Sequence, residues 1–162
     1  MIQIKNAAEL QKMRKACAIS AAALKAGGEA IEPGITTAEI DKIIYDFIVR
    51  HGARPNFLHL YGFPATACIS VNDTVIHGIP SKQQQIRPGD IVSIDTGCKI
   101  DGFNGDNACT YACGKIDLEA QRLLDVTKES LHRGIEMACG GNRVGDIGHA
   151  VQSYVEENGF SV

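Results

Sequence analysis

Apolar residues near the start of the chain recur at the spacing of a helix. The pattern predicts a helix over residues 6–26, on which Leu10, Met13 and Cys17 share one face. Asn6 can cap its first turn, and Glu9 stands at the position that completes a capping box. The adjacent glycines at 27–28 are expected to end or kink this helix.

Three further segments have helical patterns. One begins at Thr36 or Thr37, and the other two cover 118–138 and 144–158. The segment after Thr37 has an apolar face that we assign to core packing. That face consists of Ile40, Ile43, Ile44, Phe47 and Ile48.

Strand-like runs occupy the middle of the chain. Cys68–Val71 and Ile91–Ile94 are apolar and β-branched, and 103–111 is a third candidate, whereas 52–66 is expected to be a loop. The dipeptide Asp101-Gly102 separates the last two runs. It favours a two-residue hairpin turn, because such turns need positive φ at both central positions.

This hairpin fixes a register. If Asp101-Gly102 is the turn, Asp95 lies opposite Ala108 and Gly97 lies opposite Asp106. Side chains alternate between the two faces of a strand, so both aspartates point the same way. Carboxylates gathered on one face are suitable ligands for a pair of hard divalent metal ions.

Two alternatives to this metal site stay open from the residues alone. A β-bulge at Gly105 would turn Asp106 to the other face. The aspartates could also be solvated residues on an exposed face, paired with Lys99. Against the second alternative, aspartate is uncommon in strands, and a carboxylate among apolar runs is costly without a partner.

Composition is that of an ordinary globular chain. The 162 residues are 44% hydrophobic with a net charge of −3, which predicts one domain over 1–162 and gives no basic footprint for nucleic acid. No long apolar run predicts a membrane span, and Met1–Lys5 does not resemble a signal peptide, so a cytoplasmic location is expected. The six cysteines lack zinc-site spacing and are expected to be reduced and mostly buried.

Three motifs carry a family resemblance. Ile76–Pro80 (IHGIP), Pro88–Asp95 (PGDIVSID) and Asp101–Asp106 (DGFNGD) closely resemble type I methionine aminopeptidases of the bacterial type. The similarity extends in order from Ile4 to Val162. It implies an α/β (α+β) pita-bread fold, in which an antiparallel sheet is covered by helices, and of which 1–162 is the first half.

The resemblance also implies roles for individual residues. Asp95 matches the bidentate ligand of one ion, and Asp106 matches the bridging ligand. His77 matches the substrate-side histidine that contacts the peptide nitrogen. Cys68 matches a cysteine of the methionine pocket. Leu60 and Phe63 occupy pocket-lining positions that are often tyrosine in the family.

The family's remaining ligands, one histidine and two glutamates, are expected beyond Val162. By resemblance the complete enzyme is a monomer that uses two divalent ions (Co, Mn, Fe or Zn) to remove the initiator methionine from nascent polypeptides near the ribosome. We expect residues 1–162 alone to lack the C-terminal half, to bind divalent ions weakly, to self-associate and to have little activity.

Other interpretations stay open. The chain could be a pita-bread binding module that has lost catalysis, or a fragment without a function of its own. A relative of aminopeptidase P or prolidase is less favoured, because the motif at His77 matches the methionine aminopeptidases.

Overall fold

A computed structural model describes residues 3–162, which divide into two compact units. The first unit ends at Lys115 and the second begins at Ile116. That the two form one domain stays a prediction. Met1 and Ile2, part of the segment judged not to be a signal peptide, lie outside the described residues.

The predicted helices and strands are confirmed, with two short additions. The described part of the first unit contains α1 (Ala7–Glu29), α2 (Thr37–Arg50), β1 (Arg54–Pro55), a 3₁₀ turn (Leu60–Gly62), β2 (Ala67–Val71), β3 (Ile91–Ile100) and β4 (Phe103–Ala112). The second contains α3 (Leu118–Glu136) and α4 (Val144–Glu157). The short strand β1 and the 3₁₀ turn both lie in the segment 52–66 expected to be a loop.

Helix α1 begins as the sequence predicts but does not end at its glycine pair. Asn6 and Glu9 form a capping box, which satisfies backbone N–H groups that the first turn leaves free. The helix then continues through Gly27 and Gly28 to Glu29. These glycines permit close packing instead, because a Cβ at Gly28 would lie 2.2 Å from the ring of Tyr111.

The sheet is antiparallel, and β3 is its central strand. β4 pairs with the full length of β3, while β2 and β1 pair with its other edge in succession. Asp101 and Gly102 form the turn between β3 and β4 with φ of 52° and 83°. Left-handed φ at both positions is what a two-residue hairpin turn of this type requires.

The two faces of this sheet have different environments. On one face Val92 and Ile94, both fully buried, form a core with residues of α1 and α2. Cys68, Asp95 and Asp106 have the opposite parity and lie on the other face. Packing of the hydrophobic core on one face fixes the strand register. The register in turn determines which side chains, including Asp95 and Asp106, lie on the opposite face.

A half-buried carboxylate on α2 holds the start of β2. Asp41 Oδ1 accepts hydrogen bonds from the N–H groups of Thr66 at 2.9 Å and Ala67 at 2.8 Å. Because Thr66 and Ala67 are almost fully buried, Asp41→Ala leaves two buried donors without an acceptor. We expect the free energy of unfolding to fall by about 2–4 kcal/mol in urea denaturation. Asp41→Asn keeps the accepting oxygen and should lose much less; equal losses would contradict this role.

Asp41 should also make stability depend on pH. Burial raises the pKa of Asp41, and its hydrogen bonds to Ala67 and Thr66 oppose that rise. A carboxyl with a raised folded-state pKa contributes stability at low pH, which is lost as pH rises through that pKa. The Asp41→Asn variant does not titrate here, so its stability relative to the wild type should increase as pH rises from about 4, the ordinary pKa of an aspartate, through the raised folded-state pKa.

Candidate metal centre and adjoining cleft

The hairpin brings two carboxylates together on one face. Asp95 pairs with Ala108, and Gly97 pairs with Asp106, as the turn predicts. The ladder continues regularly through Cys98 and Gly105, so the alternative of a bulge at Gly105 is wrong. Asn56 and Phe57 pack against Gly97, since a Cβ there would lie 3.2 Å from Asn56 Nδ2 and 3.3 Å from the ring of Phe57.

The charges around Asp95 are unbalanced. Burial raises the pKa of Asp95, and the neighbouring charge of Asp106 raises it further, while His77 opposes the rise. The two carboxyls are also close enough for a side-chain hydrogen bond between them. Like charges this close favour either a shared proton or a cation between them.

Nothing among residues 3–162 neutralises this pair by a direct ion pair. The ion pairs there use other carboxylates, those of Asp101, Glu29, Asp46 and Glu129. The alternative in which Lys99 pairs with the aspartates therefore has no support in the structure. Two unneutralised carboxylates fit the oxygen ligands that hard divalent ions prefer.

Two carboxylates do not make a full coordination shell. Within residues 3–162, no group of three or more His, Cys, Asp or Glu side chains is placed to hold a metal ion. The described residues therefore provide ligands of the type that a metal centre needs. They provide only some of the ligands in a complete coordination shell.

A cleft of about 460 Å³ opens beside Asp95 in the first unit. Five residues singled out in the sequence line it together: Leu60, Phe63, Cys68, His77 and Asp95. Asp106 is not among the lining residues. The wall of the cleft is completed by residues that were not predicted from the sequence as site residues, namely Phe57, Tyr61, Gly62, Pro64 and Ile79.

The additional cleft residues carried a weak signal in the sequence. Phe57 and Tyr61 are aromatic residues in a segment expected to be a loop, and Ile79 belongs to the IHGIP motif. His59 and Tyr61 have left-handed backbones, with φ of 68° and 49°, in and next to the 3₁₀ turn. Such conformations depend on tertiary context and are not predictable from these residue types.

Cys68, which lines this cleft, is a neutral thiol. It pairs with Asp95 across the sheet. Burial, with the charges of Asp95, Asp106 and Asp41, raises the pKa of Cys68 to about 11. Because thiolate is the metal-binding and nucleophilic form, a thiol protonated at neutral pH is suited to lining a pocket instead.

The cysteine prediction is confirmed in one part and wrong in another. All six thiols are free of disulfides, as expected. Only Cys68, Cys98 and Cys113 are buried, whereas Cys17, Cys109 and Cys139 are exposed, so "mostly buried" is incorrect. The exposed thiols are those of Cys17 on α1, Cys109 on β4 and Cys139 after α3. Helical spacing predicts Cys17 on the apolar face of α1, but the buried face of that helix is formed by Ala16, Ser20, Ala23 and Leu24.

Comparison with known proteins assigns this chain to a family. The model of metallopeptidase family M24 matches residues 11–162, and the chain belongs to that family. Similar curated proteins are a methionine aminopeptidase of Clostridium perfringens, 50% identical, and methionine aminopeptidase 1 of Bacillus subtilis, 44% identical. Each alignment covers 100% of this chain and 65% of the relative, so the chain spans just under two thirds of their length.

Solved structures agree on the fold. A methionine aminopeptidase from Rickettsia prowazekii superposes with a TM-score of 0.97 at 37% identity, over 100% of this chain and 65% of that one. Aminopeptidase P of Escherichia coli gives 0.83 at 24% identity over 95% of this chain and 34% of that one, which shows a shared fold alone. The predicted pita-bread, α/β fold is confirmed. Within residues 3–162 no helix has the length and apolarity to cross a membrane.

Proposed function

We propose that residues 1–162 are the first half of a methionine aminopeptidase, which removes the initiator methionine from nascent polypeptides. The observation that carries the proposal is the position of Asp95, which belongs both to the carboxylate pair and to the apolar cleft. A side chain held in that cleft would place its own backbone beside the carboxylates. The similarity to methionine aminopeptidases over the whole chain supports the same function.

Asp95 and Asp106 would hold divalent ions. Asp95 would bind one ion with both oxygens, and Asp106 would bridge two. A bound pair of ions supplies an activated water and polarises the scissile carbonyl. Co, Mn, Fe and Zn all accept oxygen and imidazole ligands, so the donor set does not select among them. The remaining ligands, one histidine and two glutamates, would come from sequence beyond Val162.

The cleft would hold the methionine side chain. Leu60 and Phe63 offer apolar walls without hydroxyl groups, and Cys68 offers a neutral thiol. An unbranched thioether fits irregular apolar space of this kind. Aromatic walls add favourable sulfur contacts. The pocket would thereby orient the substrate and exclude water from the bond to be broken.

His77 would act on the substrate side. Its imidazole lines the cleft with Asp95, so a ring N–H can donate to the peptide group of a bound N-terminal residue. Such a hydrogen bond stabilises charge that develops as the peptide bond breaks. The complete protein would act as a monomer in the cytoplasm, on chains emerging from the ribosome, without contacting nucleic acid.

The test is hydrolysis of the peptide Met-Ala-Ser by the protein isolated from its own source, after its intact mass has been measured. We expect release of methionine that requires added Mn(II), stops with a chelator and is far slower with Leu-Ala-Ser. The isolated 162-residue chain should have little activity and should bind Mn(II) weakly, since its shell is incomplete. Absence of metal-dependent release by the complete protein would contradict the proposal.

A second candidate is a binding module that has lost catalysis. The absence of a third ligand within residues 3–162 favours it if the mature protein proves to be no longer than this chain. In that case the cleft would bind peptides that begin with methionine without cleaving them. Binding of Met-Ala-Ser without turnover would separate this candidate from the enzyme.

A further inference from the structure

Gly78, the residue after His77, is held against the free edge of β2 by two hydrogen bonds, and we call this contact the Gly78 clamp. Its N–H donates to the hydroxyl oxygen of Ser70 at 3.1 Å, and the N–H of Ile69 donates to its carbonyl at 2.8 Å. Both polar groups of the Gly78 backbone are therefore satisfied by one strand. A Cβ at Gly78 would lie 2.1 Å from the carbonyl oxygen of Ile69, so only glycine permits this approach.

His77 depends on this clamp because its own position is strained. Its φ is 57°, in the left-handed region that residues with a Cβ rarely adopt. Within residues 3–162, the histidine side chains that form hydrogen bonds are those of His51 and His149. The imidazole of His77 is thus placed in the cleft by its backbone, and the surrounding structure must maintain that conformation.

We propose that Ser70 is a positioning residue for His77, and this inference rests on the proposed function. Ser70 is 4% exposed and lies on the sheet face that carries Cys68 and Asp95. Its hydroxyl oxygen is the acceptor that fixes the Gly78 N–H. Without it, that N–H has no partner, and the loop can relax from the strained conformation that directs His77 into the cleft.

The first test measures the clamp directly. In Ser70→Ala, hydrogen exchange of the Gly78 amide should accelerate about 5- to 30-fold, the factor expected for loss of one hydrogen bond, and the NMR signals of the His77 ring should shift. Ser70→Thr keeps the oxygen and should restore both. Ser20→Ala is the matched control, because Ser20 is a fully buried serine whose hydroxyl donates its one hydrogen bond to Thr96 O on β3 and not to the Gly78 backbone. Unchanged Gly78 exchange in Ser70→Ala would overturn the proposal.

The second test uses turnover of Met-Ala-Ser by the complete protein. Ser70→Ala should lower kcat about 5- to 30-fold with little change in KM, because the pocket that binds methionine is intact. In a His77→Ala background the same change should have no further effect. Equal losses in both backgrounds would show that Ser70 does not act through His77. If the wild type does not cleave the peptide, the proposed function fails, while the exchange measurement still decides the role of Ser70.

Discussion

Replacing Asp106 with asparagine is expected to lower turnover of Met-Ala-Ser by the complete protein about 10³-fold or more. The change keeps the shape of the side chain and removes a negative charge that is proposed to bridge two ions. Changing a residue that only supports a metal ligand typically lowers metal affinity or activity 10–100-fold. Loss of a direct bridging ligand should therefore lower activity by a larger factor. Turnover and calorimetric binding of Mn(II) should decline together.

The same hairpin offers a matched control for this substitution. Asp101 is an exposed aspartate in the turn between β3 and β4, where it pairs with Lys15 at 2.8 Å. Asparagine tolerates the left-handed backbone of that position. Asp101→Asn therefore removes the same charge from the same hairpin and should retain near-normal turnover. Similar losses in the two variants would indicate a general effect of charge and contradict the ligand role of Asp106.

Gly105→Ala is expected to destabilise the protein by about 3 kcal/mol in urea denaturation, near the upper end for inserting one methyl group into a packed interior. A Cβ at Gly105 would lie 2.3 Å from the carbonyl oxygen of Ala16 and 2.7 Å from the amide nitrogen of Cys17. Both obstacles are backbone atoms of α1, so no rotation of a side chain can relieve the clash. The helix must move away from the strand.

Gly148→Ala serves as the control for Gly105→Ala. Gly148 lies within α4, and a Cβ there would meet no described atom within 4 Å. The substitution should stabilise the protein by about 0.5–1 kcal/mol, because alanine is a better helix former than glycine. A Gly105→Ala variant as stable as the wild type would show that α1 does not need its close approach to β4.

The hairpin could be predicted in detail because its signals are local. Asp101-Gly102 specifies the turn, and the alternation of side chains then assigns a face to Asp95 and Asp106. The uncertainty at Gly105 could not be resolved in the same way. A glycine in a strand signals either a bulge or a close backbone approach, and here the second applies because α1 passes over it.

The cleft could be predicted only in part because it joins distant segments. The family resemblance indicated Leu60, Phe63 and His77, whereas periodicity alone did not. Asp41 carried no signal, since an aspartate on an amphipathic helix that also carries Glu39, Lys42 and Asp46 usually faces solvent. Its hydrogen bonds reach backbone groups of β2, far along the chain, and only the packed structure brings them together.

The origin of the carboxylate pair in a single hairpin has a consequence for the order of folding. Asp95 and Asp106 come together when one short loop closes, which involves little loss of chain entropy. The cleft forms only when the 3₁₀ turn, β2 and the loop at His77 contact β3, from which they are separated by longer stretches of sequence. Contacts between segments distant in sequence generally form more slowly. The two acidic groups should therefore meet early, before the cleft that would position a substrate exists.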